Sequence, residues 1–261
     1  KNILQAKSMG FDAFMSLTHA IEMHAEAFDA RGTTTLLRTF WTALETLFST
    51  QTPNISRENV VNSLLPIIQK TYILKNLRAV YSQLCHAIEL QELRDLGIAS
   101  FEEFVLYFSA HTEGSAEMRK IYEHLSQNPL LRTRLFSLRK ALTDGKSIAA
   151  FLDSHRTRIE WQIKRLYRMR NVATHLGGKI SGVDIAANHL HNYFDYVVNY
   201  MLCKSENGDY VVSTAAVVFE AKNDNRIHTE MLKDNKPLSL DNYIAYLLGP
   251  DGNLVKYQFE Y

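Results

Sequence analysis

Apolar residues recur every three or four positions along nearly the whole chain, the spacing that places them on one face of an α-helix. From Ser8 to Ala30 the run carries Phe11, Phe14, Met15, Ile21 and Phe28. Gly32 supplies a stop, and Thr33, Thr34 and Thr35 supply the cap of a second helix. In that helix Leu37, Phe40, Trp41, Leu44, Leu47 and Phe48 share one face, the pattern of a core stripe. Glu45 lies at the edge of the stripe, about 80° from Leu37 on an ideal helix. Such a carboxylate is expected half-buried and in want of a cationic or hydrogen-bonding partner.

Pro53 and Asn54 close the second helix, and a helical region runs from about 56 to 96, with Pro66 expected to kink or break it. Ser100 caps a helix from Phe101 to Ser109, and the Thr112-Glu113-Gly114-Ser115 turn leads into another from Ala116 to Ser126. Asn128-Pro129 opens a basic helix that ends at Asp144-Gly145. A long helix is expected from Lys146 to Leu176, stopped by Gly177-Gly178. After Ser181 a further helix carries Ile185, Leu190, Tyr193, Val197 and Met201; the tail holds one through Leu232 and a short one from Tyr243 to Leu248. Only Leu254 to Phe259 hints at a strand, and there is no internal repeat. The reading is all-α.

At 261 residues with 46% hydrophobic and 22% charged positions, the chain has ordinary globular composition and can bury a sizeable core. Two distant cysteines, Cys85 and Cys203, argue against a disulfide framework or a Cys-rich zinc site and fit a reducing cytoplasm. No apolar run reaches the length of a membrane span, and the first residues do not lead into a signal-peptide core. Residue 1 is Lys, which fits a processed chain or a piece of a longer one.

The net charge of +1 hides a segregation. Between Arg132 and Arg170 eleven Lys and Arg face three acids, a local +8, and the remainder sums to −7. A basic stretch of this kind suits a polyanion, and it equally suits a solvated helix face.

Within the basic stretch, Arg170-Asn171-Val172-Ala173-Thr174-His175 pairs a permanent cation that binds phosphate with the side chain that titrates near neutrality. On a helical wheel Leu166, Met169, Ala173 and Leu176 form the packed side, and Lys164, Arg168, Asn171 and His175 cluster opposite. Asn171 and His175 are one turn apart, so the amide is placed to orient the imidazole. Arg170 lies about 140° from His175, near the edge of the packed side, and has to reach around. The same residue types also have a structural use: an Arg near a helix end pairs with a carboxylate, and a His there caps carbonyls.

Arg170-Asn171-x3-His175 resembles the R-x4-6-H signature of the HEPN superfamily of helical bundles, in particular its ApeA-like branch associated with prokaryotic defence. The flanks Ile163-Lys164-Arg165-Leu166-Tyr167-Arg168-Met169 and Leu176-Gly177-Gly178 are similar to those of the branch, and Trp41-x-Ala43-Leu44-Glu45-x-Leu47 resembles its aromatic-rich helix, about 125 residues upstream. The resemblance covers roughly 8–203, with an insertion at about 100–143, and leaves 208–261 as a C-terminal helical extension. It implies an antiparallel helical bundle and a cofactor-free, metal-independent endoribonuclease of a toxin, antiviral or abortive-infection system. The active site then forms at a homodimer interface, under the control of a regulatory domain or an antitoxin partner. Arg170 would hold the scissile phosphate, His175 would act as general acid or base, and Asn171 would orient one of them. Glu45 and Tyr167 would support the site from behind, and Lys164, Arg165 and Arg168 would bind RNA. Gly177 stands where some toxin members carry a modified tyrosine, so that form of control is not expected. The alternative is a catalytically silent bundle that binds RNA, nucleotide or protein.

Other candidate sites are weaker by spacing. His19-x2-Glu22-x-His24 has the wrong interval for a zinc motif and lacks a third ligand, and His189 and His191 diverge on a helix. Tyr193, Tyr196 and Tyr200 recur at helical spacing, which suits core or interface as well as base stacking. No carboxylate cluster for paired Mg²⁺ is visible.

Overall fold

The computed structural model describes residues 8–48, 57–175, 181–206 and 209–250. Among these the chain is all-α, with eleven helices and no strand; the hinted strand at 254–259 and the Pro53-Asn54 stop lie outside the described residues. The helices are α1 (Phe11–Phe28), α2 (Thr33–Phe48), α3 (Arg57–Ala87), α4 (Leu90–Asp95), α5 (Phe101–Ala110) and α6 (Ala116–His124), followed by α7 (Pro129–Ala141), α8 (Gly145–His175), α9 (Val183–Glu206), α10 (Thr214–Leu232) and α11 (Tyr243–Leu248). None of them is long and apolar enough to cross a membrane.

Local chemistry explains several ends. Ser100 Oγ accepts the Glu103 N–H while Glu103 returns its carboxylate to the Ser100 N–H, a reciprocal cap that starts α5. Ser115 and Asn128 accept the N–H groups of Met118 and Leu131, and Pro129 occupies the first turn of α7, where its missing N–H costs nothing. Asp144 ends the preceding turn and also caps α8 by accepting the Ser147 N–H at 2.8 Å.

Pro66 does not break its helix, since α3 runs unbroken as an α-helix from Arg57 to Ala87. An interior proline costs about 3 kcal/mol. Leu64, Leu65, Ile67 and Ile68 on either side of it are buried, and their packing offsets that cost.

The described residues form two compact units: those within 8–69 and 156–223 make the first, and those within 70–155 and 224–250 the second. The expected boundary at 203–208 therefore falls inside the first unit. In the second, Leu232, Leu238, Tyr246 and Leu247 from the tail join the core of Leu77, Phe104, Leu135 and Ile148, so the insertion and most of the described tail share one core. The buried Lys70 ammonium pairs with Asp224 there, at the start of the returning segment. At Gly145 a Cβ would run into the Leu232 carbonyl oxygen, so the start of α8 requires glycine for close approach.

In the first unit α2 packs against α1 and α9, and Phe40, Trp41, Leu44 and Leu47 form the predicted core stripe. Neither Cys85, which is exposed, nor Cys203, which is buried, is in a disulfide.

Candidate active site

In the last turns of α8, Ile159, Ile163, Leu166 and Ala173 are buried at three-, four- and seven-residue intervals. Arg170 fills the remaining place in that stripe. The wheel places Arg170 near the edge of the packed side, and in the fold it is half-buried there. Met169 was counted as core on the wheel, yet it is only partly buried and lines a cleft, which rotates the packed face toward Arg170.

A cation on an inner face needs partners, and α2 supplies one. Glu45 Oε2 lies 3.7 Å from Arg170 Nη2, with side-chain exposures of 19% and 27%. The carboxylate is fixed by Trp41, one turn earlier on α2, whose buried indole N–H donates to Oε1 at 2.6 Å. The Tyr167 ring lies 5.3 Å from the Trp41 ring at 54°. Arg170 Nη1 donates to Asn171 Oδ1 at 3.1 Å, so this amide oxygen is engaged by the arginine. The guanidinium is thus pinned on two sides. His175 is the last residue of α8, one turn after Asn171; its side chain and residues 176–180 lie outside the described residues.

Arg170 borders a hollow of about 200 Å³ that it shares with Arg38, Thr39, Thr42 and Thr174. The three hydroxyls donate to backbone carbonyls one turn back, at 2.8 to 3.1 Å. The donors left for an anion in the hollow are the guanidinium groups of Arg38 and Arg170 and the hydroxyl of Thr35. Arg38 had no sequence signal beyond its place one turn before Thr42.

The expected RNA-binding cations sit elsewhere on α8. Lys164, Arg165 and Arg168 line a cleft of about 690 Å³ with Trp161, Ile185 and His189. Arg165, Arg168, Trp161 and Ile185 are exposed. Lys164 is paired with Glu160, and its ammonium holds that carboxyl below the usual range by a hydrogen bond. The fold therefore brings Arg170, Asn171, Glu45, Trp41 and Tyr167 together, and Lys164, Arg165 and Arg168 line a separate cleft. Tyr196 and Tyr200 are buried core residues, and the Tyr193 hydroxyl donates to Gln162 at 2.7 Å, its pKa raised by burial.

Sequence reasoning treated His24 and His191 in separate motifs. They meet in the fold, with Asp195 beside them. The i,i+4 interval of His191 and Asp195 on one helix was the available signal.

Comparison with protein-family models, with characterised proteins and with solved structures finds no match.

Proposed function

We propose that the chain is a metal-independent endoribonuclease of a prokaryotic toxin or anti-phage defence system. The observation that carries this reading is a pinned guanidinium, Arg170, beside a hollow of about 200 Å³, roomy enough for a phosphate, and one helical turn and a residue before His175. Pre-oriented cations stabilise charge that develops at phosphorus without reorganising during the reaction.

In this mechanism the 2′-hydroxyl of RNA attacks the adjacent phosphorus. The O2′–P bond forms, the P–O5′ bond breaks, and the products are a 2′,3′-cyclic phosphate and a 5′-hydroxyl. His175 takes the proton from O2′ or gives one to O5′. Arg170 and Arg38 neutralise the pentacoordinate phosphorane. Lys164, Arg165 and Arg168 hold flanking phosphates of the same strand, with affinity that falls as salt rises. A homodimer doubles the Arg and His available to one cleft.

A second reading has its own observation. Arg170 stands in a packed stripe with its guanidinium committed to Glu45 and Asn171, as a purely structural arginine would. On that reading the chain is a catalytically silent bundle that binds RNA, nucleotide or a partner. Incubating purified protein with total RNA in EDTA, beside His175→Ala, separates the two. Cleavage by the wild type alone supports the nuclease, and intact RNA in both samples supports the binding module.

A further inference from the structure

Two histidines and an aspartate from α1 and α9 converge in the first unit. His24 Nε2 lies 2.9 Å from His191 Nδ1, and His191 Nε2 lies 3.3 Å from Asp195 Oδ2. Among the described residues these three are the one set of His, Cys or acidic ligands close enough to share an ion, with one donor atom from each within 4.8 Å of the others.

The rings are held in place by their surroundings. His24 stacks on Phe194, centroids 4.2 Å apart at 7°, and Phe40 lies 4.8 Å away. Phe28 stands edge-on to both His24 and His191, at 5.4 and 5.5 Å. His24 is buried. His191 and Asp195 are 34% and 46% exposed, so the open side of the group faces solvent.

The two imidazoles are nearly coplanar, 19° apart, with centroids at 5.0 Å. Together with the 2.9 Å contact this puts the two nitrogens almost in line, sharing one proton. Two imidazole nitrogens on one tetrahedral zinc stand about 3.3 Å apart. Placing both rings on one ion needs an opening of a few tenths of an ångström and a swing of the part-exposed His191 ring by about 70°, from in line to the tetrahedral angle. Asp195 contacts His191 Nε2, and one donor atom from each of the three residues lies within 4.8 Å of the others, so that swing brings Nε2 and the carboxylate onto one ion with His24 Nε2 and leaves a position for water.

We propose that His24, His191 and Asp195 form a binding site for a divalent ion of the zinc class, clasping α1 to α9. Two imidazoles and one carboxylate are borderline-to-hard donors, which suits Zn²⁺ and Co²⁺ and disfavours Ca²⁺ and Mg²⁺. The clasp is separate from the proposed RNA chemistry and does not depend on it.

Tag-free, chelator-treated protein titrated with Co²⁺ tests the site. The expected result is visible d–d absorption saturating at one equivalent and displaced by Zn²⁺, with a higher Tm in Zn²⁺. His191→Ala and Asp195→Asn alter part-exposed positions, and each should weaken binding at least about tenfold, the lower range for disturbing even a residue that only supports a ligand. Circular dichroism establishes that each variant is folded. Wild type that binds no Co²⁺ or Zn²⁺, or that binds them no more tightly than His191→Ala, overturns the proposal.

Discussion

Glu45 and Arg170, 125 positions apart, form a part-buried ion pair at 3.7 Å, and the carboxylate in that pair is set by the Trp41 indole. The distance is an electrostatic contact rather than a hydrogen bond, so Glu45 orients the guanidinium without using all its donors. Those donors remain for a phosphate.

This pair has a measurable coupling. Arg170→Ala leaves the Glu45 carboxylate without its cation, and the expected loss of stability is about 1–3 kcal/mol. In a double-mutant cycle with Glu45→Gln, denaturant unfolding should give an interaction energy of about 0.5–3 kcal/mol. Additive losses would show that the two side chains do not sense each other.

His175 and Arg38 should behave differently from Arg170. Arg38 is exposed, so Arg38→Ala should leave Tm within about 1–2 °C of wild type, as surface substitutions do. His175→Ala is expected to abolish RNA cleavage, and Arg38→Ala to lower kcat/KM about tenfold or more through loss of one charge at phosphorus. An Arg38→Ala enzyme with unchanged kcat/KM would remove Arg38 from the site.

The local signals were legible because they act over four residues or fewer: the Ser100–Glu103 box and the Asn128-Pro129 start are where the sequence puts them. Glu45's need for a partner was legible too, from its place at the edge of the α2 stripe. The orientation of α8 was not. Leu166, Met169 and Ala173 define two adjacent faces almost equally well on a wheel, and only packing decides that Ile163 is buried while Met169 and Arg170 are both half-buried at the borders of the packed face. Pro66 does not break α3 for a related reason, since the propensity of one residue is outweighed by the buried leucines and isoleucines around it. His24 and His191 stand 167 positions apart, and no interval along the chain announces their contact.

A homodimer is expected, because a single Arg and His supply fewer groups than in-line phosphoryl transfer commonly uses. Light scattering coupled to size exclusion at micromolar concentration should give twice the chain mass of 30.0 kDa. A strict monomer that still cleaves RNA would contradict this part of the account.

Stability should fall with acid in a window set by His24. Its pKa is held at about 4, against an ordinary 6.5, first by burial and then by His191. Between those values the unfolded chain binds a proton that the fold does not, so the contribution is complete above pH 6.5 and is lost as pH falls toward 4. Buried His228, also lowered, adds in the same direction. Asp195, raised by burial, acts in the opposite sense within the carboxylate range. The Tm difference between pH 7 and pH 5 should therefore shrink in His24→Gln, and equal differences in variant and wild type would place the acid sensitivity elsewhere.

In the proposed mechanism the nucleophile comes from the substrate, and one oligonucleotide pair tests this. An RNA cleaved by the wild type in EDTA is compared with the same RNA carrying a single 2′-deoxy sugar on the 5′ side of the scissile phosphate. RNA carries the 2′-hydroxyl and DNA does not. The account predicts that the deoxy substitution blocks the cut, and that the unmodified strand yields a 2′,3′-cyclic phosphate and a 5′-hydroxyl. Cutting of the deoxy-substituted strand at the same phosphate, or a 5′-phosphate product, would contradict it.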